Sequence, residues 1–406
     1  MEVSAMSTSL LYHAFNIKGA EYRSTSFLGN SIIIHAEMTD RFTRCPQCGC
    51  HQNIFKGHKT RLFKMGPSGR KHALLRLRFH RLACVECNNL WWPRLSFMDG
   101  KHRYTRSFAM TALDLLRFAT IKDVAKYLRV GWDLIKEIHK RKLQRLYRKM
   151  SIHKIKYLGI DEFSLRKGHN YMTIFIDLQT GRIVHATEGR SKKDVEPFMK
   201  VLARKAGKLK AVAMDMSRPY SSAVSEYLPK VDIVFDRYHI MAQMNLAIES
   251  LRREQQGTIN KREQKFLKGC RFLLLSNYTS LSHDRQVKLN TLLDVNKPLF
   301  IMHSMKEQLR LMWQQSHHKQ AENFLKQWCF DAMAAGPKPL IKVALTLLKH
   351  KKGILNYYLH RLTSGPVEGI VNKIKTLKRQ AYGFRDMDYF KLRLYHLHRQ
   401  GYSLTG

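Results

Sequence analysis

Two Cys-x-x-Cys pairs, Cys45-Pro46-Gln47-Cys48 and Cys84-Val85-Glu86-Cys87, hold four of the seven cysteines in the 406-residue sequence. Each pair can set two thiolates side by side at a tight turn, and two such turns can close a tetrahedral zinc site. Gly49, directly after Cys48, supplies the backbone freedom such a turn needs. Four protein ligands leave no open coordination position, so Cys45, Cys48, Cys84 and Cys87 are expected to hold a structural Zn2+ with no chemistry of its own. Unliganded cysteines are the bland alternative, and two pairs of equal spacing disfavour it. Cys50 is either a spare thiol or a replacement for a neighbour. The N-terminus lacks a basic stretch followed by an apolar core. A reducing, cytoplasmic location is therefore expected, and a disulfide framework is not.

The second set of reactive residues is acidic. Asp161 ends the apolar run Leu158-Gly159-Ile160, Asp215 ends Ala211–Met214, and Asp236 ends Ile233–Phe235. Glu368 follows Ser364-Gly365-Pro366-Val367, where the proline suits a first helical turn. Gathered carboxylates repel one another unless cations neutralise them, and Mg2+ prefers oxygen ligands. Two such ions about 3.5–4 Å apart serve phosphodiester transfer, and Mn2+ is expected to substitute. The ordinary alternatives are a solvated strand end for each aspartate and a helix-dipole partner for Glu368. Asp236 competes with Asp215 for the second position. Glu162 competes with Asp161, although successive strand residues point to opposite faces. In the last helix Val367, Ile370, Val371, Ile374 and Leu377 make an apolar face. Glu368, Asn372, Lys375 and Arg379 make a polar stripe that could offer a carboxylate to metal and cations to phosphate.

Positioning these groups requires a frame. Residues 156–160, 171–177 and 183–186 read as an antiparallel meander. A helix over 194–205, a strand over 209–214, a helix over 220–227 and a strand over 231–235 follow. Strands alternating with helices imply parallel pairing with crossovers, which can set Asp161 and Asp215 on adjacent strands. Upstream, Ile121, Val124, Ala125 and Leu128 line one helix capped by Thr120. Val130-Gly131 supplies a turn, and Leu134, Ile135 and Ile138 line a second helix. Asp133, Lys136, Glu137, His139, Lys140 and Arg141 are left outside. A helix-turn-helix would place that second helix in the major groove, with Lys136, Lys140 and Arg141 on DNA; a plain helical hairpin is the alternative. Arg76–Leu82 alternates as a half-buried strand, and Trp91-Trp92 fits packing better than phosphate contact.

Charge narrows the partner. With 72 Lys+Arg against 31 Asp+Glu the net charge is +41. Such a chain needs a polyanion, and nucleic acid leads. A ribosomal or chromatin protein would share the charge but would usually be shorter and less aromatic. No apolar run is long enough for a transmembrane helix, so no membrane partner is expected. The cations are spread along the chain, which argues for a long DNA-contacting surface rather than a basic tail.

Four ordered blocks resemble a known family: Gly159-Ile160-Asp161-Glu162 with Arg166-Lys167-Gly168-His169; Met214-Asp215-Met216-Ser217 with Tyr220; Phe235-Asp236-Arg237-Tyr238-His239; and Ser364-Gly365 with Glu368-Gly369, Asn372, Lys375, Arg379 and Tyr382-Gly383. Together with the cysteine pairs and the helix-turn-helix, they are similar to the ISL3 family of bacterial insertion-sequence transposases over residues 45–398. Tyr238 stands where phenylalanine is usual in that family. The resemblance implies a DDE enzyme with the triad Asp161, Asp215 and Glu368 and two Mg2+. It also implies double-stranded DNA partners, both transposon ends and target, with a homodimer or higher oligomer on the DNA. Arg166, Lys167, His169, Asn372, Lys375 and Arg379 join the expected DNA contacts.

The expected fold is multidomain α+β. A zinc-ribbon region spans 1–100 and a helix-turn-helix 101–150. An RNase H-like α/β catalytic core over 151–240 is interrupted by an all-helical insertion over 241–360 and completed by helices over 361–406. Trp313 and Trp328 of the insertion fit core packing better than stacking on a flipped base. The rival readings are a non-catalytic, sequence-specific DNA-binding regulator derived from such an enzyme, and an RNA-processing nuclease of the same fold. The complete carboxylate set favours the enzyme, and the helix-turn-helix favours duplex DNA.

Overall fold

The structure is a computed structural model that describes residues 10–38, 43–100, 102–166, 168, 170–256, 269–363, 365–381 and 383–399. The chain divides into two compact units, Met1–Arg148 with Gln400–Gly406, and Lys149–Arg399.

In the first unit β1 (Ala20–Leu28) and β2 (Ser31–Met38) form a hairpin through Gly29, whose φ of 55° is the left-handed conformation glycine adopts without strain. β3 (Asn53–Lys64) and β4 (His72–Cys84) pair antiparallel, and β2 runs parallel to β4. The order is β1-β2-β4-β3, with the short β5 (Leu90–Trp91) added to β4. Alternation buries one face: Ile34, Phe63, Leu75, Leu77 and Phe79 pack with Leu11 and Phe15 of α1 (Leu10–Phe15). Trp92 lies edge-on to Phe79 at 5.5 Å and beneath Lys59 Nζ at 4.2 Å, in the packing role its sequence context suggested.

Three helices complete this unit: α2 (Arg106–Leu115), α3 (Ile121–Tyr127) and α4 (Trp132–Tyr147). Their shared core holds Phe108, Ala112, Val124, Ala125, Leu128, Ile135 and Ile138. Thr120 caps α3 by accepting from the Asp123 amide at 3.2 Å. Two details differ from the sequence reading. The left-handed residue of the α3–α4 turn is Arg129 (φ 50°), while Gly131 is the N-cap of α4 with φ −64°. His139 is buried at 6% exposure, not outside, because it follows Ile138 on the inner side of α4.

The second unit is a three-layer α/β structure. Its sheet has the order β10-β9-β6-β7-β8, from β6 (Tyr157–Ser164), β7 (Tyr171–Asp177), β8 (Arg182–Glu188), β9 (Ala211–Met214) and β10 (Asp232–Phe235). The first three are an antiparallel meander; β9 is parallel to β6, and β10 to β9. α5 (Lys192–Lys205) and α6 (Arg218–Tyr227) lie in the core on one face, with Leu158, Ile160, Phe175 and Val212 beneath them. The helices Gly365–Gln380 and Met387–His396 cover the other face over Phe163, Ile174 and Ile176.

α7 (Arg237–Gln256) leads into helices that include Lys297–Leu311, His318–Ala334 and Lys338–Lys349. They do not form a separate core, since one continuous apolar cluster links Val212 and Phe235 to Ile248, Leu309 and Leu347. Trp313 and Trp328 are buried in it, and Trp328 donates its indole N–H to the Met305 carbonyl at 2.9 Å, so both serve packing. The helix Lys351–Leu355 closes on the edge strand: Gly353 lies against the Phe235 ring, and Asn356 Nδ2 donates to the Ile233 carbonyl at 2.9 Å. That contact covers a strand edge that would otherwise offer a pairing surface. No helix among the described residues is long and apolar enough to cross a membrane.

Candidate active site, metal centre and DNA-binding helix

The two cysteine turns have the same backbone construction. The Gly49 amide donates to the Cys45 carbonyl at 3.0 Å and the Asn88 amide to the Cys84 carbonyl at 3.1 Å, and both Gly49 (φ 78°) and Asn88 (φ 54°) are left-handed. Pairing of Asn53 with Cys84 brings the turns together at one end of the β3–β4 hairpin. Cys45 and Cys87 sulfurs lie 3.6 Å apart, and Cys48 and Cys84 sulfurs 3.5 Å apart. All four fall within 4.8 Å of one another. A zinc tetrahedron with metal–sulfur bonds of ~2.3 Å has edges of about 3.8 Å, so the set fits structural zinc. Burial alone would raise the Cys45 thiol, but the amides of Cys48 and Gln47 outweigh it and hold the group down at about 6. Cys50 stays outside the set and contacts the backbone of Gln52.

On the sheet of the second unit, register decides which carboxylates meet. Leu158 pairs with Val212 and Gly159 with Ala213; Asp232 pairs with Ala211 and Phe235 with Met214. Continuing these rows puts Asp161, Asp215 and Asp236 in line across three adjacent parallel strands. Asp215 and Asp236 follow the last residues of β9 and β10. β6, in contrast, does not end at Asp161 but runs on to Ser164, because pairing with β7 continues through that residue. The Asp236 amide extends the ladder by donating to the Met214 carbonyl at 3.0 Å. The alternation also assigns the face. Leu158 and Ile160 enter the α5–α6 core, whereas a Cβ on Gly159 would meet Val367 Cγ2 at 3.0 Å, so Asp161 is on the face under the helix Gly365–Gln380. Glu162 points the other way, toward α6.

Burial pushes the Asp161 carboxyl up to about 6. The Asp215 and Glu162 carboxylates add to this, while the Glu162 amide and the His239 imidazole oppose it. Burial raises Asp215 as well, reinforced by Glu162 and Asp236 and opposed by the Ser217 amide and His239. His239 Nε2 lies 3.7 Å from Asp236 Oδ2. Crowded, desolvated carboxylates of this kind gain from a cation.

Glu368 sits in the first turn of the helix Gly365–Gln380, one residue after Val367, and is exposed. The four cysteines are the only set of three or more such groups within 4.8 Å among the described residues, so Asp161, Asp215 and Glu368 do not meet at that spacing. Asn372, Lys375 and Arg379 are exposed on the same helix, and Lys378 Nζ, donating to the Ser164 carbonyl, ties it to the end of β6. Arg166 is exposed beside it; Lys167, His169, Ser364 and Tyr382 lie outside the described residues. On α4, Lys136 and Lys140 are half-buried, and Arg141 is engaged with Glu137 at 2.7 Å and with His102. The sequence reading passed over Trp132, 55% exposed as the first residue of α4, and Arg190, which binds Glu162. A tryptophan directly after the turn was the available signal for the first; nothing local pointed to the second.

A family model described as a transposase matches residues 158–394, and one described as the helix-turn-helix domain of transposase family ISL3 matches residues 93–141. The chain belongs to the ISL3 family of transposases. Among relatives of this transposase, that of insertion sequence element IS1001 from Bordetella parapertussis is 30% identical over 370 residues, 90% of this chain and 91% of the relative. That of IS1557 from Mycobacterium tuberculosis is 24% identical, covering 70% of this chain and 69% of the relative. A chain of the Drosophila P element transposase strand transfer complex superposes with a TM-score of 0.41 at 11% identity, over 74% of this chain and 93% of that one. The helix-turn-helix match spans α2, α3 and most of α4, and the transposase match spans the sheet and both helices that cover its Asp161 face.

Proposed function

We propose that this transposase binds the terminal inverted repeats of its insertion sequence through the first unit and cuts and rejoins DNA at the carboxylate row of the second. The row of Asp161, Asp215 and Asp236 on three adjacent parallel strands, with Asp161 and Asp215 both raised by burial, carries this reading. A three-stranded antiparallel meander followed by two parallel strands supports reading the sheet as RNase H-like. Asp161, Asp215 and Glu368 are the proposed metal ligands, with Asp236 and His239 flanking them. When bound there, a pair of Mg2+ or Mn2+ ions supplies activation of the attacking oxygen and stabilisation of the leaving one. Glu368 lies one residue beyond Val367, which packs over Gly159, so an advance of that helix end would carry its carboxylate toward Asp161. Lys375 and Arg379, about two and three turns along the same helix, are suited to the phosphates of the same strand. Water attacks at the element end first, and the freed 3′-hydroxyl then attacks target DNA.

In the first unit Trp132 and the exposed residues near the start of α4 are the proposed base readers, since the N-terminal part of a recognition helix meets the groove floor. The cysteine set holds structural zinc. The active assembly is a homodimer or larger on two element ends. Incubating the protein with supercoiled DNA that carries its own flanking sequences, with and without Mg2+, tests the reading. Metal-dependent nicks at the element ends are expected. Tight, sequence-specific binding with no nicking in Mg2+ or Mn2+ would favour the regulator instead.

A further inference from the structure

Arg190 is held more firmly than an ordinary surface arginine. Gly189 before it has φ 93°, and a Cβ there would fall 2.2 Å from Asp194 Oδ2, so only glycine fits. The Gly189 amide donates to the Tyr171 carbonyl at 2.8 Å, and its carbonyl accepts from Thr173 Oγ1 at 2.7 Å. Ser191 after it caps α5 in a reciprocal box with Asp194. The backbone of Arg190 is thus pinned on both sides. Its guanidinium lies 4.0 Å from the Tyr171 ring centre, and Nη1 donates to Glu162 Oε1 at 3.3 Å. Glu162 is itself fixed, because Tyr220 Oη donates to its other oxygen at 2.6 Å. Tyr220 is 1% exposed and also lies 2.9 Å from Thr173 Oγ1.

An exposed ion pair contributes little to stability, so stability does not account for so many constraints on one half-exposed side chain. They make sense for a planar donor group that must be preset for a ligand. Glu162 and the Tyr171 face fix the plane of the fork, and the side chain remains 50% exposed. Glu162 is the residue after Asp161, and Tyr220, which fixes it, lies in the first turn of α6. The N-cap of that helix, Ser217, donates its amide to Asp215 Oδ1 at 3.1 Å, so the fork stands at the α6-side rim of the carboxylate row. A guanidinium presented this way matches the paired oxygens of a phosphodiester.

We infer that Arg190 is a phosphate-anchoring residue for the DNA strand entering the carboxylate row, with Glu162, Tyr171 and Tyr220 as its positioning residues. This rests on the catalytic reading above. Tyr220 acts only through Glu162, and Thr173 shares its hydroxyl contact.

The test is single-turnover cleavage of labelled element-end DNA by the full chain in Mg2+, with DNA carrying a neutral methylphosphonate at each phosphate flanking the cut in turn. Wild type, R190A, R190K, Y220F and D161N are compared after thermal melts confirm folding. R190A is expected to cleave at least about thirtyfold more slowly. R190K should recover only part of this, because an ammonium has no fork, and Y220F should slow cleavage about fivefold. One methylphosphonate position should slow wild type yet leave R190A unchanged, as a double-mutant cycle requires of a true contact. Wild-type rates in R190A and R190K, or a slowing of R190A by every methylphosphonate to the same degree as wild type, overturn the anchor while leaving the triad in place. If D161N cleaves as wild type does, the catalytic reading has failed, independently of Arg190.

Discussion

Cys45, Cys48, Cys84 and Cys87 stand within 4.8 Å of one another, whereas Asp161, Asp215 and Glu368 do not. The first set hangs from two turns at one end of a single hairpin, and their backbone hydrogen bonds already set each pair of sulfurs. Local construction suffices, and a closed site of this kind can be structural. The second set is contributed by two parallel strands and by a helix more than 150 residues further along. Two of its members are aligned by strand register, and the third arrives on a helix whose approach is set by packing on Gly159. A site assembled from separate elements can admit DNA and metal before it closes. The difference predicts that the two sites fail differently when disturbed.

The largest effect belongs to the cysteines. Cys84→Ser should abolish zinc retention and unfold the first unit, since structural zinc is worth ~10–16 kcal/mol in small metal-dependent folds. Metal analysis and calorimetry should show no zinc and one missing transition, with the transition of Lys149–Arg399 retained. A zinc-free variant with both transitions intact would remove the structural role.

Next come the carboxylates. Asp215→Asn and Glu368→Gln should each lower cleavage about a thousandfold, the several kcal/mol that metal contributes to charge stabilisation, while melting and end binding stay near wild type. Asp236→Asn should cost clearly less. The reverse ranking of Asp215 and Asp236 in a cleavage assay would exchange their assignments.

Gly159→Ala probes the joint between strand and helix. Its Cβ would meet Leu178 Cδ2 at 2.8 Å and Val367 Cγ2 at 3.0 Å. Overpacking of this kind costs ~1–3 kcal/mol, and a displaced Val367 should carry Glu368 away from Asp161. A lowered melting temperature together with a raised Mg2+ requirement is expected; a stability loss with unchanged metal dependence would detach Gly159 from the site.

The smallest effect is on pH. Burial lowers the His185 imidazole to about 4, and its ring stacks on Phe198 at 4.1 Å. The unfolded chain takes up this proton near pH 6.5 and the folded one refuses it until about 4. Stability is therefore full above 6.5 and falls as pH drops through that window, by at most about 3 kcal/mol. His185→Phe should shrink the difference between melts at pH 7 and pH 5. An undiminished difference would place the acid sensitivity elsewhere.

What could be read directly from the sequence follows the same division. The four-cysteine set, the Thr120 cap, the strands that stop just before Asp215 and Asp236, and the apolar face from Val367 to Leu377 are local patterns, and local geometry reproduces them. The strand through Asp161 runs on to Ser164, which only its pairing with β7 decides. Burial of His139 is decided by the phase of α4 against α2 and α3. The common row of three aspartates needs the strand order. Arg190 needs Gly189, Tyr171, Glu162 and Tyr220, which come from three strands or loops and one helix. The helices of 241–360 were legible as helices, but their merger with the core beneath α5 and α6 was not. Helical periodicity reports that a face is buried without reporting what it is buried against.

The central claim is that Asp161, Asp215 and Glu368 converge on divalent metal when DNA is bound. Counting Mn2+ by electron paramagnetic resonance on the protein assembled with element-end DNA tests it most directly. Two Mn2+ per active site are expected for wild type, with at least one lost in each of Asp161→Asn, Asp215→Asn and Glu368→Gln. Undiminished Mn2+ occupancy in Glu368→Gln would contradict the convergence and leave the aspartate row without its third member.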